Sequence, residues 1–290
     1  MGNTNLLEQL NPMQQKAVMH GTGPILVLAG AGSGKTRVIT FRIARLLMEK
    51  LARPSEILAV TFTNKAAAEM KSRVDQLLGD ELPGLWISTF HSACARFLRI
   101  EGAPDGIGRH FQIYDTNDQQ TLIKQVIENL NLNNKIFQPR RMLAFFSQAK
   151  NQLLTPDTYK PHFNAWLGDE EQKLFREYQQ RLADCGAVDF DDLLLLTVRL
   201  LNEKPGLAEL YQQRFRYLMV DEYQDTNRAQ YELVRLLAGP EGNVCAVGDE
   251  DQSIYRWRGA EVRNILDFER DFPGTLLVKL EQNYRSTGTI

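Results

Sequence analysis

The sequence predicts an α/β fold, in which a parallel sheet with flanking helices forms one domain and an all-helical region is inserted into it. Two observations support this expectation. Short apolar runs bounded by turn residues recur toward both ends of the chain, with helical patterns between neighbouring runs. Between about residues 93 and 212 the rhythm of strands stops, and long helical patterns take its place.

Each predicted strand is a run of four to six mostly apolar residues, as expected for strands buried on both faces of a parallel sheet. The runs are residues 25–28, 57–62, 85–89, 217–220, 244–247 and 276–280. Helical periodicity occurs at 66–78 and 229–237 within the sheet region, and at 118–130 and 170–185 within the insertion. The alternation of strand and helix is that of a doubly wound sheet.

Net charge gives no bulk argument for a nucleic-acid partner. Lys plus Arg number 34 and Asp plus Glu 36, so the formal charge is only −2. The early part of the insertion is locally basic, although a solvated helical surface explains this weak patch equally well. Its basic residues are Arg96, Arg99, Arg109, Lys124, Lys135, Arg140, Arg141 and Lys150. Any nucleic-acid partner must therefore be argued from local motifs.

Cysteine usage and hydropathy predict a reduced, cytoplasmic protein. Cys94, Cys185 and Cys245 are widely spaced, without a Cys-x-x-Cys pair or clustered histidines. The sequence therefore predicts neither a disulfide framework nor a structural metal. No apolar run approaches the roughly 18 residues of a membrane span, and we expect no membrane association.

A glycine-rich run directly after the first predicted strand predicts a phosphate-binding loop. It reads Ala29, Gly30, Ala31, Gly32, Ser33, Gly34, Lys35 and Thr36. Alternating glycines let successive backbone N–H groups turn toward an anion, and the following helix directs its positive end to the same point. Lys35 would reach the β- and γ-phosphates, and the Thr36 hydroxyl would bind Mg²⁺. Ala29 stands where the strict pattern has glycine, which is a mild departure.

A second strand, 217–220, ends in the adjacent carboxylates Asp221 and Glu222. Asp221 would hold Mg²⁺, while Glu222 would accept a proton from the water that attacks the γ-phosphate. Alone, a strand ending in Asp-Glu is common. Together with the loop at Lys35, it predicts a site for nucleotide hydrolysis.

Seven short blocks follow one another in a recognisable order. They are residues 10–14, 29–36, 61–66, 88–92, 221–226, 248–260 and 282–286. Together they resemble the UvrD/PcrA/Rep helicases of superfamily 1, and the resemblance covers nearly the whole chain. It implies ATP-driven translocation along single-stranded DNA in the 3′ to 5′ direction, with Mg²⁺ and ATP as cofactors and unwinding at junctions of single- and double-stranded DNA.

The resemblance also implies a domain arrangement. Residues 1–92 and 213–283 would form a RecA-like P-loop NTPase domain, the first motor lobe, and residues 93–212 an inserted helical subdomain. Residues 284–290 would begin a second RecA-like lobe, supplied by the same parent chain, which forms the opposite wall of the ATP site. Because translocation requires two lobes that move relative to each other, we expect the 290-residue chain alone to hydrolyse ATP slowly and not to unwind DNA.

Further ATP contacts are implied residue by residue. Gln14 would read adenine, since an amide can donate to N7 and accept from N6–H, and the ring of Tyr284 would stack on the base. Arg285 and Arg37 carry guanidinium groups suited to phosphate. Gln252 would sense the γ-phosphate and link hydrolysis to the DNA site.

The DNA contacts implied by the resemblance centre on aromatic side chains. Trp257, flanked by Tyr255, Arg256 and Arg258, suits an unstacked base better than a core position, because its charged neighbours would be buried with it. Phe62 and Phe190 match positions that also meet bases, although Phe62 follows a strand and is also explained as core. Small donors suited to phosphates are Thr63, Asn64, Thr89, His91 and Ser92. His91 is also explained as a buried, hydrogen-bonded histidine.

Two alternative functions stay open at this point, and one apparent metal site is better explained in another way. Asp189, Asp191 and Asp192 could suggest a nuclease metal site, but helix capping explains these acids better. The chain could be a DNA-binding module whose affinity is switched by ATP without a motor function. It could also be the motor part of a helicase–nuclease, which a nuclease domain elsewhere in the parent protein would indicate.

Overall fold

The computed structural model describes residues 3–30, 32–239, 242–249 and 263–284 of the chain. The chain divides into two compact units. The sheet unit comprises Met1–Ala93, Lys204–Thr226 and Val234–Ile290. The helical unit comprises Cys94–Glu203 and Asn227–Leu233.

Six strands of the sheet unit form one sheet in the order β3-β2-β6-β7-β1-β8, and every neighbouring pair is parallel. The strands, numbered along the chain, are β1 Ile25–Ala29, β2 Ile57–Thr61, β3 Trp86–Thr89, β4 Gln112–Ile113, β5 Ala187–Val188, β6 Tyr217–Val220, β7 Val244–Gly248 and β8 Leu276–Leu280. Each of the six predicted strands is confirmed, with ends within one residue of the expected ones. The carboxyl ends of all six strands meet at one edge, which we call the carboxyl edge.

Most of the described residues between these strands are helical. They are α1 Asn3–Glu8, α2 Pro12–Met19, α3 Lys35–Met48, α4 Asn64–Leu78, α5 Phe90–Glu101, α6 Thr116–Asn129, α7 Pro139–Asn151, α8 Ala165–Asp184, α9 Phe190–Glu203, α10 Pro205–Arg214, α11 Arg228–Ala238, α12 Arg263–Leu266 and α13 Phe268–Asp271. Within the residues described, we find no helix with the length and apolar character that crossing a membrane requires.

The sheet unit has a continuous apolar core because its central strands are covered on both faces. All five residues of β2 are buried, as are all four of β6. On α3, Val38, Ile39 and Ile43 are fully buried in the same cluster as β1. This packing holds the loop between β1 and α3 at the carboxyl edge.

A buried arginine that the sequence analysis did not predict joins α2 to α3. Arg42 on α3 is 1% exposed, and its guanidinium donates to the carbonyl oxygens of Ala17, His20 and Gly21 at 3.2, 2.5 and 3.1 Å. These carbonyls lie at the end of α2, where a cation is favoured by the helix dipole. Burial lowers the pKa of Arg42. The contact fixes α2, whose first turn carries Gln14.

The helical unit has its own core, and it is helical apart from one short parallel pair, β4 with β5. Such two-residue strands carry too little periodicity to be seen in a sequence. The core includes Phe146, Phe175 and Tyr178, from α7 and α8. Lys150, which the sequence placed in a weak basic patch, is instead fully buried.

Candidate functional site

The loop between β1 and α3 has the backbone shape expected for anion binding. Gly32 and Gly34 adopt positive φ angles of 76° and 93°, which side-chain-bearing residues rarely adopt. A Cβ on Gly34 would also lie 2.7 Å from Nε2 of Gln14. Ser33 closes the turn, since its N–H and its hydroxyl both donate to the Gly30 carbonyl, at 3.2 and 2.7 Å. Lys35 then begins α3.

The structure brings Lys35 and Glu222 together at the carboxyl edge. The Lys35 ammonium lies 2.9 Å from Oε2 of Glu222, across 187 residues of sequence. Glu222 follows β6 with φ 51° and ψ 44°, a left-handed conformation that is uncommon for a residue with a side chain. Backbone conformations of this kind cluster at functional sites. The loop lysine and the strand-end carboxylate thus form one charged cluster.

Asp221 and Thr36 place two hard oxygen donors beside this pair. The Thr36 side chain hydrogen-bonds Asp221, which is 3% exposed. Burial, followed by the neighbouring Glu222 carboxylate, raises the pKa of Asp221 to about 7, while hydrogen bonding and Lys35 oppose the rise. A hydroxyl and a buried carboxylate at one point fit the oxygen preference of Mg²⁺.

Gln224 is a member of the cluster that the sequence analysis did not assign. Its Nε2 donates to Oε2 of Glu222 at 2.9 Å, and its Oε1 accepts from the Asp249 N–H at 3.0 Å. A Cβ on Gly248 would lie 2.8 Å from Gln224 Oε1, so the close approach requires glycine there. Gln224 lies in the block at 221–226, but its residue type alone did not indicate which group it would contact.

On the other side of the loop, Gln14 and Tyr284 lie near a common partner, Asn11. The Gln14 amide donates to the Ser33 carbonyl at 3.0 Å and accepts from the Asn11 N–H at 3.1 Å. The Tyr284 ring is 55% exposed, and its backbone N–H donates to the Gly32 carbonyl at 3.0 Å. An open cleft of about 320 Å³ adjoins Asn11, lined further by Pro12, Met13, Lys279, Glu281 and Gln282.

Arg37 has protein partners close to the loop. Its guanidinium donates to the Gln9 carbonyl at 2.7 Å and lies 5.0 Å from the centre of the Phe41 ring. Arg37 therefore lies beside the loop as the sequence suggests, and its predicted phosphate contact stays a prediction.

The residues predicted to contact DNA in the sheet unit follow β2 and β3. Phe62 is half-buried, with its ring edge-to-face on Phe90 at 5.6 Å. Thr63 and Asn64 are exposed, and the Thr63 hydroxyl caps α4 by accepting from the Ala66 N–H at 3.1 Å.

After β3, Thr89 is buried and its hydroxyl donates to the Ser92 hydroxyl at 2.9 Å. His91 is half-buried, so the side chain retains access to solvent.

Strand order explains how the two groups of residues are related. Because β6 lies directly between β2 and β7, Asp221 and Glu222 separate the ends of β2 and β3 from the loop after β1. The link is direct, since the Asp221 N–H donates to the Val60 carbonyl of β2 at 3.0 Å. Candidate DNA contacts and candidate nucleotide contacts therefore share one sheet edge.

Several predicted residues lie elsewhere. Phe190 belongs to the helical unit, where its side chain is 52% exposed at the start of α9. The predictions at Ala31, Gln252, Tyr255, Trp257, Arg258 and Arg285 fall outside the described residues.

Two of the acids at the start of α9, Asp189 and Asp192, form a reciprocal helix cap. Asp189 accepts from the Asp192 N–H, and Asp192 accepts from the Asp189 N–H, both at 3.0 Å. Among residues 3–30, 32–239, 242–249 and 263–284, no group of three or more His, Cys, Asp or Glu side chains is arranged to hold a metal ion. The two reciprocal hydrogen bonds agree with the capping interpretation for Asp189 and Asp192.

A six-stranded parallel sheet whose first strand runs through a glycine-rich loop into a helix, with Asp and Glu following β6 two strands away, defines a RecA-like P-loop protein. The family model of the UvrD/REP helicase N-terminal domain matches residues 10–273. The chain belongs to this family.

Curated relatives agree with the family assignment. The chain is 51% identical over 285 residues to the ATP-dependent DNA helicase PcrA of Bacillus subtilis (strain 168), which covers 98% of this chain and 39% of that protein. It is 50% identical over the same shares to the proteins of that name from Staphylococcus aureus (strain Mu50 / ATCC 700699) and Staphylococcus epidermidis. The chain thus spans about two fifths of the length of these relatives.

Proposed function

We propose that this chain is the ATP-binding portion of an ATP-dependent DNA helicase that moves 3′ to 5′ along single-stranded DNA. The observation that carries the proposal is the cluster of Lys35, Glu222 and Asp221 at the carboxyl edge, with Phe62 and Thr63 following the next strand of the same sheet. Ligands of open α/β sheets bind at the carboxyl ends of strands. One edge therefore offers both a phosphate site and a strand-binding surface.

Each side chain of the cluster has a separate role in ATP hydrolysis. The backbone of the loop and Lys35 bind the phosphates, and Thr36 and Asp221 would hold Mg²⁺. When bound, Mg²⁺ neutralises and orients the terminal phosphates. Glu222 accepts the proton of the attacking water, with its carboxylate oriented by Gln224. Arg285 and Gln252 are assigned to the γ-phosphate by likeness to the family.

The contact between Lys35 and Glu222 pairs the proposed phosphate-binding cation with the proposed catalytic base. The Lys35 ammonium compensates the Glu222 carboxylate, which would otherwise repel the phosphates. When triphosphate binds, the ammonium contacts the phosphates and its ion pair with Glu222 is broken. Glu222 is then released to act as a base. This arrangement favours a hydrolase over a module in which ATP acts as a switch alone.

On the DNA side, Phe62, Phe190 and the 255–258 segment supply stacking surfaces, and Thr63, Asn64, Thr89 and His91 supply phosphate donors. These contacts carry no base readout, so we propose binding to single strands of any sequence and to junctions with duplex. A second motor lobe of the same parent protein would complete the ATP site. We also propose a cytoplasmic location, in keeping with the three widely spaced cysteines of the sequence.

The proposal is tested on the 290-residue chain itself. We expect calorimetry to detect Mg·ATP binding, a turnover assay to show slow hydrolysis, and a fluorescent duplex with a 3′ single-stranded tail to stay paired. Absence of Mg·ATP binding would contradict the nucleotide site. Rapid strand separation by the monomeric chain would contradict the need for a second lobe.

Replacing Trp257 with alanine is expected to weaken binding to single-stranded oligonucleotides by about 5- to 150-fold, since one base–indole stack contributes roughly 1 to 3 kcal/mol. Fluorescence anisotropy with a labelled oligonucleotide measures the change. ATP affinity without DNA should be unaltered. Trp166→Ala is the matched control, because that indole is 65% exposed on α8 of the helical unit. Equal losses of DNA and ATP affinity would show that Trp257 is structural.

A further inference from the structure

Asn11 uses both ends of its side-chain amide. Its Oδ1 accepts from the Gln14 N–H at 2.8 Å, and its Nδ2 donates to the Tyr284 hydroxyl at 2.8 Å. The second bond joins residues 273 positions apart. Gln14 and Tyr284 are the two residues to which the family resemblance assigns contacts with the adenine base.

Helix capping explains the first bond but not the second. Asn11 is the N-cap of α2 and forms a reciprocal capping box with Gln14. A cap needs one side-chain oxygen, which serine, threonine or aspartate provides equally well. The amide donor that reaches Tyr284 is particular to asparagine at this position.

The Tyr284 hydroxyl continues the hydrogen-bonded chain. It accepts from Asn11 and donates to Oε1 of Gln282 at 2.9 Å. Because the ring is 55% exposed, packing restrains it on part of its surface at most, and the two hydroxyl bonds fix the far end of the ring. The Tyr284 N–H on the Gly32 carbonyl fixes the near end against the phosphate loop.

The Gln14 amide is oriented at the same time. One of its N–H groups donates to the Ser33 carbonyl, and one lone pair of its oxygen accepts from the Asn11 N–H. A second N–H and a second lone pair remain, which is the donor–acceptor pair that adenine requires. Asn11 thus acts on the hydrogen-bonding edge and, through Tyr284, on the stacking face.

We propose that Asn11 is a positioning residue for the nucleotide base, orienting the Gln14 amide through its backbone N–H and Tyr284 through its side-chain amide donor. The proposal rests on the function proposed above. Its consequence is preorganisation: the two groups are ordered before the base arrives, so less conformational entropy is lost on binding. The effect applies to the base and leaves the phosphates unaffected.

Two variants of the full 290-residue chain separate positioning from capping. Asn11→Ser keeps a preferred N-cap oxygen but is too short to reach Tyr284. Tyr284→Phe keeps the ring but removes the hydroxyl. Titration calorimetry with Mg·ATP and with Mg·tripolyphosphate, which lacks a base, should show ATP affinity lowered by about 3- to 10-fold in each variant. Tripolyphosphate affinity should be unchanged.

The double variant is decisive, because residues that act through one hydrogen bond are not additive. We expect it to bind ATP no more weakly than the weaker single variant. Asn243→Ser is the matched control. Asn243 lies directly before β7, at the opposite edge of the sheet, and its amide donates to the Arg216 carbonyl. Its ATP affinity should equal that of the unmodified chain.

Three results would overturn the proposal. These are unchanged ATP affinity in both single variants, additive losses in the double variant, or equal losses for ATP and tripolyphosphate, which would make Asn11 a support of the loop. If the unmodified chain binds ATP and one of these results is found, Asn11 alone loses its role. If the unmodified chain binds neither ligand, the proposed function fails with it.

Discussion

ATP turnover should fall by about 10²- to 10⁴-fold when Glu222 is replaced with glutamine, while ATP affinity is kept or increased. A glutamine amide cannot accept the proton of the attacking water. It also carries no charge to hold the Lys35 ammonium, which lies 2.9 Å from the carboxylate in the structure. Lys35 is then available to the phosphates without competition. Steady-state turnover and titration with Mg·ATP measure the two effects separately.

The lysine of the pair is expected to behave in the opposite way. Lys35→Ala should lose both ATP binding and hydrolysis, because it removes the cation that meets the phosphates and leaves Glu222 uncompensated. Glu209→Gln, at an exposed position of α10, is the control for a change of one charge. Unaltered turnover in Lys35→Ala, or weaker ATP binding in Glu222→Gln, would remove this contact from the mechanism. Unchanged circular dichroism verifies that each variant is folded.

The backbone of the site was predictable because its signals are local. A buried parallel strand is an unbroken apolar run, so the ends of β1 and β6 were located within one residue. Glycine alone tolerates the positive φ of residues 32 and 34. The order of the strands depends on the crossover connections, which are not a local signal. The motifs at 29–36 and 221–226 nevertheless imply that the strands before them end at the same edge of the sheet. Local pattern and family resemblance together therefore gave the charged cluster.

The partners of buried polar groups were not predictable, because each group could pair with any of many residues that are distant in the sequence. Nothing in its neighbours shows that Arg42 caps α2, or that the Gln224 amide spans Glu222 and the Asp249 N–H. The sequence placed Lys150 among surface cations, since lysine is seldom fully buried without a partner. Its partners, Asp189 and Asp192, lie about 40 positions away. Such pairings depend on packing that local periodicity does not encode.

Lys150 forms the buried charged centre of the helical unit. Its ammonium lies 2.5 Å from Oδ2 of Asp189 and 2.9 Å from Oδ1 of Asp192. The Tyr178 hydroxyl donates to Asp189, and the Gln179 amide donates to Asp192, both at 3.1 Å. These contacts hold the first turn of α9, where Phe190 is exposed. The ion pair thus couples the stability of the unit to the placement of a predicted DNA contact.

Replacing Lys150 with methionine is expected to lower the free energy of unfolding of the helical unit by about 3 to 5 kcal/mol at neutral pH. The cause is that two carboxylates stay buried without a cation, while methionine fills much of the volume. In the unmodified chain Lys150 lowers the pKa of Asp189 despite the opposing cost of burial, whereas burial and the neighbouring Asp189 carboxylate raise the pKa of Asp192 to about 6, with Lys150 opposing that rise. Hydrogen exchange followed by mass spectrometry on peptides from α7 to α9 measures the loss in this unit separately from the sheet.

The sign of the pH dependence distinguishes lost charge pairing from lost packing. A carboxyl with a depressed pKa contributes stability above its unfolded pKa, and that contribution disappears as pH falls through the folded pKa. Without Lys150 the two carboxyls are protonated more readily. The difference in unfolding free energy between the variant and the unmodified chain should therefore shrink toward pH 4.

Adding Asp192→Asn to the Lys150→Met variant should recover part of the lost stability. Lys173→Met, at a lysine that is 56% exposed on α8, should change little. A loss that is constant with pH and not recovered by Asp192→Asn would mean that packing, and not the ion pair, holds the start of α9.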